Sequence, residues 1–89
     1  MINIFLDLEK METIDEAKGQ IKEVFKLKEQ FSGNLDALHD LLTEIGKPTQ
    51  ISIVNTDEAA KDPQIYTARL IKAFLDAAEQ NPNLKIELL

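Results

Sequence analysis

The amino-acid sequence predicts an α/β fold in two layers, a three-stranded parallel sheet with helices packed on one face. Three observations carry this. Short β-branched or alternating runs stand near the beginning, the middle and the end of the chain. Capped stretches of helical periodicity fill both intervals between them. Connections of that kind are long enough for successive strands to pair in parallel, with the usual right-handed crossover.

Ile2 to Leu6 (INIFL) is β-branched and aromatic and reads as the first strand, followed by a polar turn. Thr13-Ile-Asp-Glu16 has capping-box spacing, and Ile14, Ala17, Ile21, Val24 and Phe25 recur as the apolar positions of helix one, with Gly19 as a weak interior point. Lys26 to Gly33 is a connection, in which Ser32-Gly33-Asn34 supplies a turn and an N-cap oxygen for helix two. Leu35, Leu38, Leu42 and Ile45 form the apolar stripe of that helix, Leu41 widens it, and Gly46 with Pro48 closes it. Thr49 to Val54 and Leu84 to Leu88 both alternate, so each strand buries one side and wets the other. Asp62-Pro63 opens a last helix running to about Gln80, with Tyr66, Leu70, Ala73, Phe74 and Ala77 inward, and Asn81-Pro-Asn83 ends it.

With 89 residues the chain is expected to form a single domain over 1–89, since a chain this short buries only about two-thirds of its unfolded surface. Absence of cysteine removes disulfides, thiolate metal sites and thiol catalysis, and suits a reducing compartment. Met1 to Lys10 has neither a basic n-region nor an apolar stretch long enough for a signal or a span, so the expected location is cytoplasmic. Ten basic against sixteen acidic residues give a net charge of −6, which repels phosphate backbones and anionic lipids and attracts basic surfaces. Direct binding to nucleic acid or membrane is therefore not expected, whereas binding to a basic protein is.

Helix two carries the most information. A turn of 100° per residue gathers Asp36, Asp40, Thr43 and Glu44 opposite the leucine stripe, with His39 at their edge. No Lys or Arg lies between Asn34 and Gly46, so the Asp36/Asp40 and Asp40/Glu44 spacings each cost roughly 0.2–0.5 kcal/mol of repulsion. Charge pattern alone also fits an ordinary solvated face. A helix selected only for stability would tend to interleave lysines, as helix one does with Lys18 and Lys22. Asp36, His39 and Asp40 make a poor metal site, because no further His or Cys is present to complete one. No nucleophile with a positioned base and no glycine-rich phosphate loop is visible, and no cofactor is implied. By pattern, Asp76 is a surface acid in a weak ion-pair network with Arg69 and Lys72, and Phe31 and Tyr66 are packing residues.

The run Phe31-Ser-Gly-Asn-Leu-Asp-Ala-Leu-His-Asp-Leu-Leu-Thr43 resembles the barstar family of intracellular ribonuclease inhibitors. The likeness extends to chain length, to Pro48 before the second strand, and to Phe74-Leu-Asp-Ala77 before a short final strand. It implies a barstar-like fold and no enzymatic activity. It also implies that the acid matching Asp40 enters a ribonuclease active site where the scissile phosphate would lie, with Asp36, Thr43 and Asp76 at further interface positions. Gln30 stands where the family has an interface aromatic, His39 where it has a Trp, and Ile45 near another aromatic position. The expectation is a monomeric inhibitor of a basic, barnase-type ribonuclease, with helix-two acids mimicking RNA phosphate and Asp36, Asp40, Thr43, Asp76, His39, Gln30 and Glu44 as partner-binding residues. The alternative is an acidic interaction or immunity module for a different basic partner or toxin.

Overall fold

Strands β1 (Ile2–Asp7), β2 (Thr49–Val54) and β3 (Leu84–Leu88) lie in that order in one parallel sheet with β2 central. These positions come from a computed structural model that describes residues 1–11, 13–27, 31–57 and 66–89. Register aligns Ile4 with Ile51 and Ile86 across the sheet, and Leu6 with Ile53. Because side chains alternate along a strand, this register gathers Leu6, Ile51, Ile53 and Leu84 on one face, where all are buried. The other face carries Asn3, Phe5, Lys85 and Glu87, all exposed, and Gln50 donates from Nε2 to Glu87 Oε2 at 2.8 Å across it. The described helices pack on the first face, but the alternation holds only in part: Ser52 of the central strand lies on the second face, between Phe5 and Glu87 in register, and is buried at 5%.

The segment after β1 departs from the expected polar turn. Leu8–Lys10 is one 3-10 turn, capped by the Asp7 side chain, which accepts from the Glu9 N–H at 3.0 Å. Three residues per turn puts Leu8 and Met11 on the same side, and both are fully buried beneath their charged neighbours. Helix α1 (Ile14–Val24) then starts with both arms of the capping box. The Thr13 hydroxyl accepts from Glu16 N at 3.1 Å, and the Glu16 carboxylate accepts from Thr13 N at 3.2 Å. Ala17 and Ile21 enter the core, but Ile14 stays 50% exposed, because at the first helical position its side chain lies against the Gly33 loop. At the other end the N–H groups of Lys26 and Leu27 return to the carbonyls of Glu23 and Lys22, a Schellman closure with Lys26 at φ +54°.

Helices α2 (Leu35–Thr43) and α3 (Tyr66–Gln80) belong to the same layer. The expected cap at Asp62-Pro63 lies outside the described residues. Leu38 and Leu42 of α2 and Leu70, Phe74 and Ala77 of α3 are buried in one cluster with the inner face of the sheet, while Leu35, Leu41, Ile45, Tyr66 and Ala73 pack half-buried around it. Phe74 stacks on Phe25 with ring centroids 6.4 Å apart. The described peptide bonds are all trans, Lys47–Pro48 among them.

Candidate functional site

The start of α2 is set by three residues. Gly33 has φ +87°, a conformation a side chain strains against, and a Cβ there would meet the Ile14 side chain at 3.0 Å. Ser32 Oγ accepts from Asn34 N at 3.2 Å, and Asn34 Oδ1 accepts from the N–H groups of Asp36 at 2.8 Å and Ala37 at 3.4 Å. This is the N-cap expected from the sequence, and it fixes the direction in which the first acid of α2 projects.

Side-chain hydrogen bonds then fasten α2 to α3 at both ends. The Tyr66 hydroxyl, at the start of α3, donates to Gly33 O at 3.0 Å. Burial pushes the Tyr66 phenol above its ordinary pKa, and the nearby charge of Arg69 pulls part of that back. Just past the end of α3, the Asn81 amide nitrogen donates to Leu42 O at 3.0 Å and to Ile45 O at 2.9 Å, while Asn81 Oδ1 accepts from Asn83 N at 3.0 Å. Beginning meets beginning and end meets end, so the two helices run side by side in the same direction.

On this frame Asp36, Asp40 and Glu44 are exposed, each one turn beyond the last. Asp36 lies in the first turn, where the helix dipole favours an anion, and Glu44 is the C-cap, where it does not. Thr43 is half-buried, and its hydroxyl donates to the Asp40 carbonyl at 3.0 Å. His39 and Asp76 are half-buried on facing sides of a solvent-open hollow of about 300 Å³ between the helices. Asp36, Arg69 and Lys72 also line this hollow, and Leu35 and Ala73 supply its apolar wall. Asp40, Thr43 and Glu44 are not among its lining residues, so the acids divide into a ridge on α2 and a pair, Asp36 and Asp76, at the hollow. Gln30 lies outside the described residues.

The ion-pair network expected around Asp76 is not formed. Among the described residues the one cation–carboxylate pair within 4.0 Å is Lys18 with Asp15, at 3.9 Å, in α1. Lys72 precedes Asp76 by four residues, the less favourable order for such a pair on a helix. Asp36, Asp40 and Asp76 therefore present carboxylates that no described cation neutralises at contact range. Each offers two oxygens that only accept, suited to an arginine fork or an ammonium. No group of three or more His, Asp or Glu among the described residues is placed to hold a metal ion, and no described helix is long and apolar enough to cross a membrane.

Two parts of this arrangement escaped the sequence reading. Asn81 reads locally as a helix terminator before Pro82, yet its acceptors lie 36 and 39 positions away. Arg69 and Lys72 read as partners of Asp76, and only the pairing of the two helices brings them beside Asp36 and His39. The chain matches the protein family described as Barstar (barnase inhibitor) over residues 1–88. No curated protein matches it.

Proposed function

The chain belongs to the barstar family, and from that membership we propose that it inhibits a basic, barnase-type ribonuclease by setting Asp40 into the enzyme's active site, where RNA phosphate would lie. The observation that carries this reading is the acid ridge of α2. Asp36, Asp40 and Glu44 are exposed in successive turns, no basic residue lies between Asn34 and Gly46, and no described cation approaches these carboxylates within 4.0 Å.

A ribonuclease that binds RNA phosphate must hold cationic donors in its cleft. A carboxylate has the sign and the acceptor geometry to occupy them, and the contact strengthens as water leaves. Asp40, at the middle of the ridge, acts as the plug. Asp36 and Asp76 flank it from the hollow, His39 and Thr43 fill the space beside it, Gln30 contributes from the connection before α2, and Glu44 supplies rim charge. Removing one partner of such a buried pair is costly, because the other charge is left without compensation. Residues 1–89 act in this reading as one monomeric unit in the cytoplasm, with no chemistry of their own.

A fluorogenic RNA cleavage assay tests it directly. Titrated into a panel of purified barnase-type ribonucleases, barnase included, the chain should abolish cleavage by at least one of them at about equimolar ratio. Undiminished cleavage across the panel at large excess of the chain would overturn the proposal.

A further inference from the structure

Resting on the inhibitor reading, we propose that the hollow between α2 and α3 receives an Asp or Glu side chain from the rim of the same ribonuclease, gripped by Arg69 and Lys72, and that these two residues select the enzyme.

The argument starts from a conflict of sign. The docking face as a whole attracts a basic enzyme, yet Arg69 and Lys72 stand within it, lining the same hollow as Asp36 and Asp76. They are three residues apart on α3, so both head groups rise from one side of the helix, and both side chains are exposed. A purely basic rim placed over them would meet like charge, which works against binding. Among the described residues neither is held within 4.0 Å of a carboxylate, although two carboxylates line the same hollow. No described carboxylate thus occupies their donors.

The hollow has the chemistry to hold one. Its volume of about 300 Å³ is ample for an acidic side chain, and Leu35 with Ala73 gives it an apolar wall that lowers the local dielectric once water is displaced. The Arg69 guanidinium can take both oxygens of a carboxylate as a fork, with the Lys72 ammonium as a second point of charge. Asp36 and Asp76 oppose any entering anion, so the hold on it rests on the donors of Arg69 and Lys72. The combination favours one acid at one position, surrounded by basic residues that meet the ridge. That is a two-signed recognition pattern, and a ribonuclease with a uniformly basic rim does not fit it.

Stopped-flow and surface-binding kinetics on the ribonuclease most tightly inhibited in the panel test this, using the full chain. Arg69→Gln with Lys72→Gln should raise the dissociation rate on the order of tenfold, the scale of a lost charge-assisted hydrogen bond, and reversal of both to Glu should raise it further. Circular dichroism should show both variants folded, since the two side chains are exposed. Neutralising the rim acids of the ribonuclease one at a time should identify one whose loss abolishes the effect of the Gln pair. Unchanged or tighter binding by the Gln pair, or no coupling to any rim acid, would overturn the inference while leaving the inhibitor reading intact. If no ribonuclease of the panel is inhibited by the unaltered chain, both fall together.

Discussion

The side-chain amide of Asn81 donates to the carbonyl oxygen of Leu42 at 3.0 Å, joining the residue after α3 to the last turn of α2. The same nitrogen reaches Ile45 O, so one buried side chain satisfies acceptors at the end of the acidic helix, where backbone carbonyls have no intrahelical partner. Asn81→Asp keeps the shape and removes the donor. It should destabilise the fold by about 1–3 kcal/mol, the cost of leaving buried polar groups unpaired, read as a lower urea midpoint. An unchanged midpoint would show that water replaces the amide without loss.

Asp40→Ala should separate stability from binding. The substitution relieves two like-charge spacings, with Asp36 and with Glu44, and introduces a better helix former, so the free protein should gain a few tenths to about 1 kcal/mol. Inhibition should weaken, and far more than in Glu44→Ala. Calorimetry that finds equal losses for the two variants would remove Asp40 from the role of plug.

Association should slow steeply as salt is added, while dissociation changes little. A chain of net charge −6 steers a basic partner over distances that salt screens, and the barnase–barstar pair is the standard illustration of this effect. A salt-independent association rate in stopped flow would contradict it.

Lys26 ends α1 at φ +54°, a conformation that disfavours a side chain. Lys26→Gly should stabilise the protein by about 0.5–1 kcal/mol, because glycine adopts this closing position without strain and gives back only part of the gain in the unfolded chain. Thermal or urea unfolding reads the difference.

Asp7 gives a pH signature. The Asn55 side chain donates to its carboxylate at 2.7 Å and holds its pKa down against a smaller desolvation effect, with the Glu9 N–H and the Lys10 charge adding to the lowering. A folded-state pKa below the unfolded one gives stability that is present above about pH 4 and is lost as pH falls through the folded value. Asn55→Ala should move the Asp7 carboxyl upward in an NMR titration, and no movement would mean that the hydrogen bond does not form in solution.

What was legible in the sequence follows the range of the interactions involved. Thr13 with Glu16, and Asn34 with the two N–H groups it caps, act over two or three residues, so spacing alone located them. The alternation in Leu84–Leu88 placed Lys85 and Glu87 on the exposed face, whereas in Thr49–Val54 it did not foresee that Ser52, a small residue on the central strand between Phe5 and Glu87, is buried. Leu8 and Met11 were hidden because charged neighbours dominate that stretch and a single 3-10 turn has too short a period to recognise. Ile14 carried the right spacing, but its place at the helix start sent it toward the Gly33 loop. At the candidate site, the exposed acids of α2 followed from helical periodicity, whereas the hollow beside them depends on contacts between segments more than thirty residues apart.

The fastenings at Tyr66–Gly33 and Asn81–Leu42 bear on the thermodynamics of recognition. A helix anchored at both ends reaches its target with its shape already decided, so the freedom surrendered on docking is that of a few side chains and not of backbone. The heat-capacity change on complex formation should then match the apolar area the two proteins cover, with no added contribution from folding upon contact.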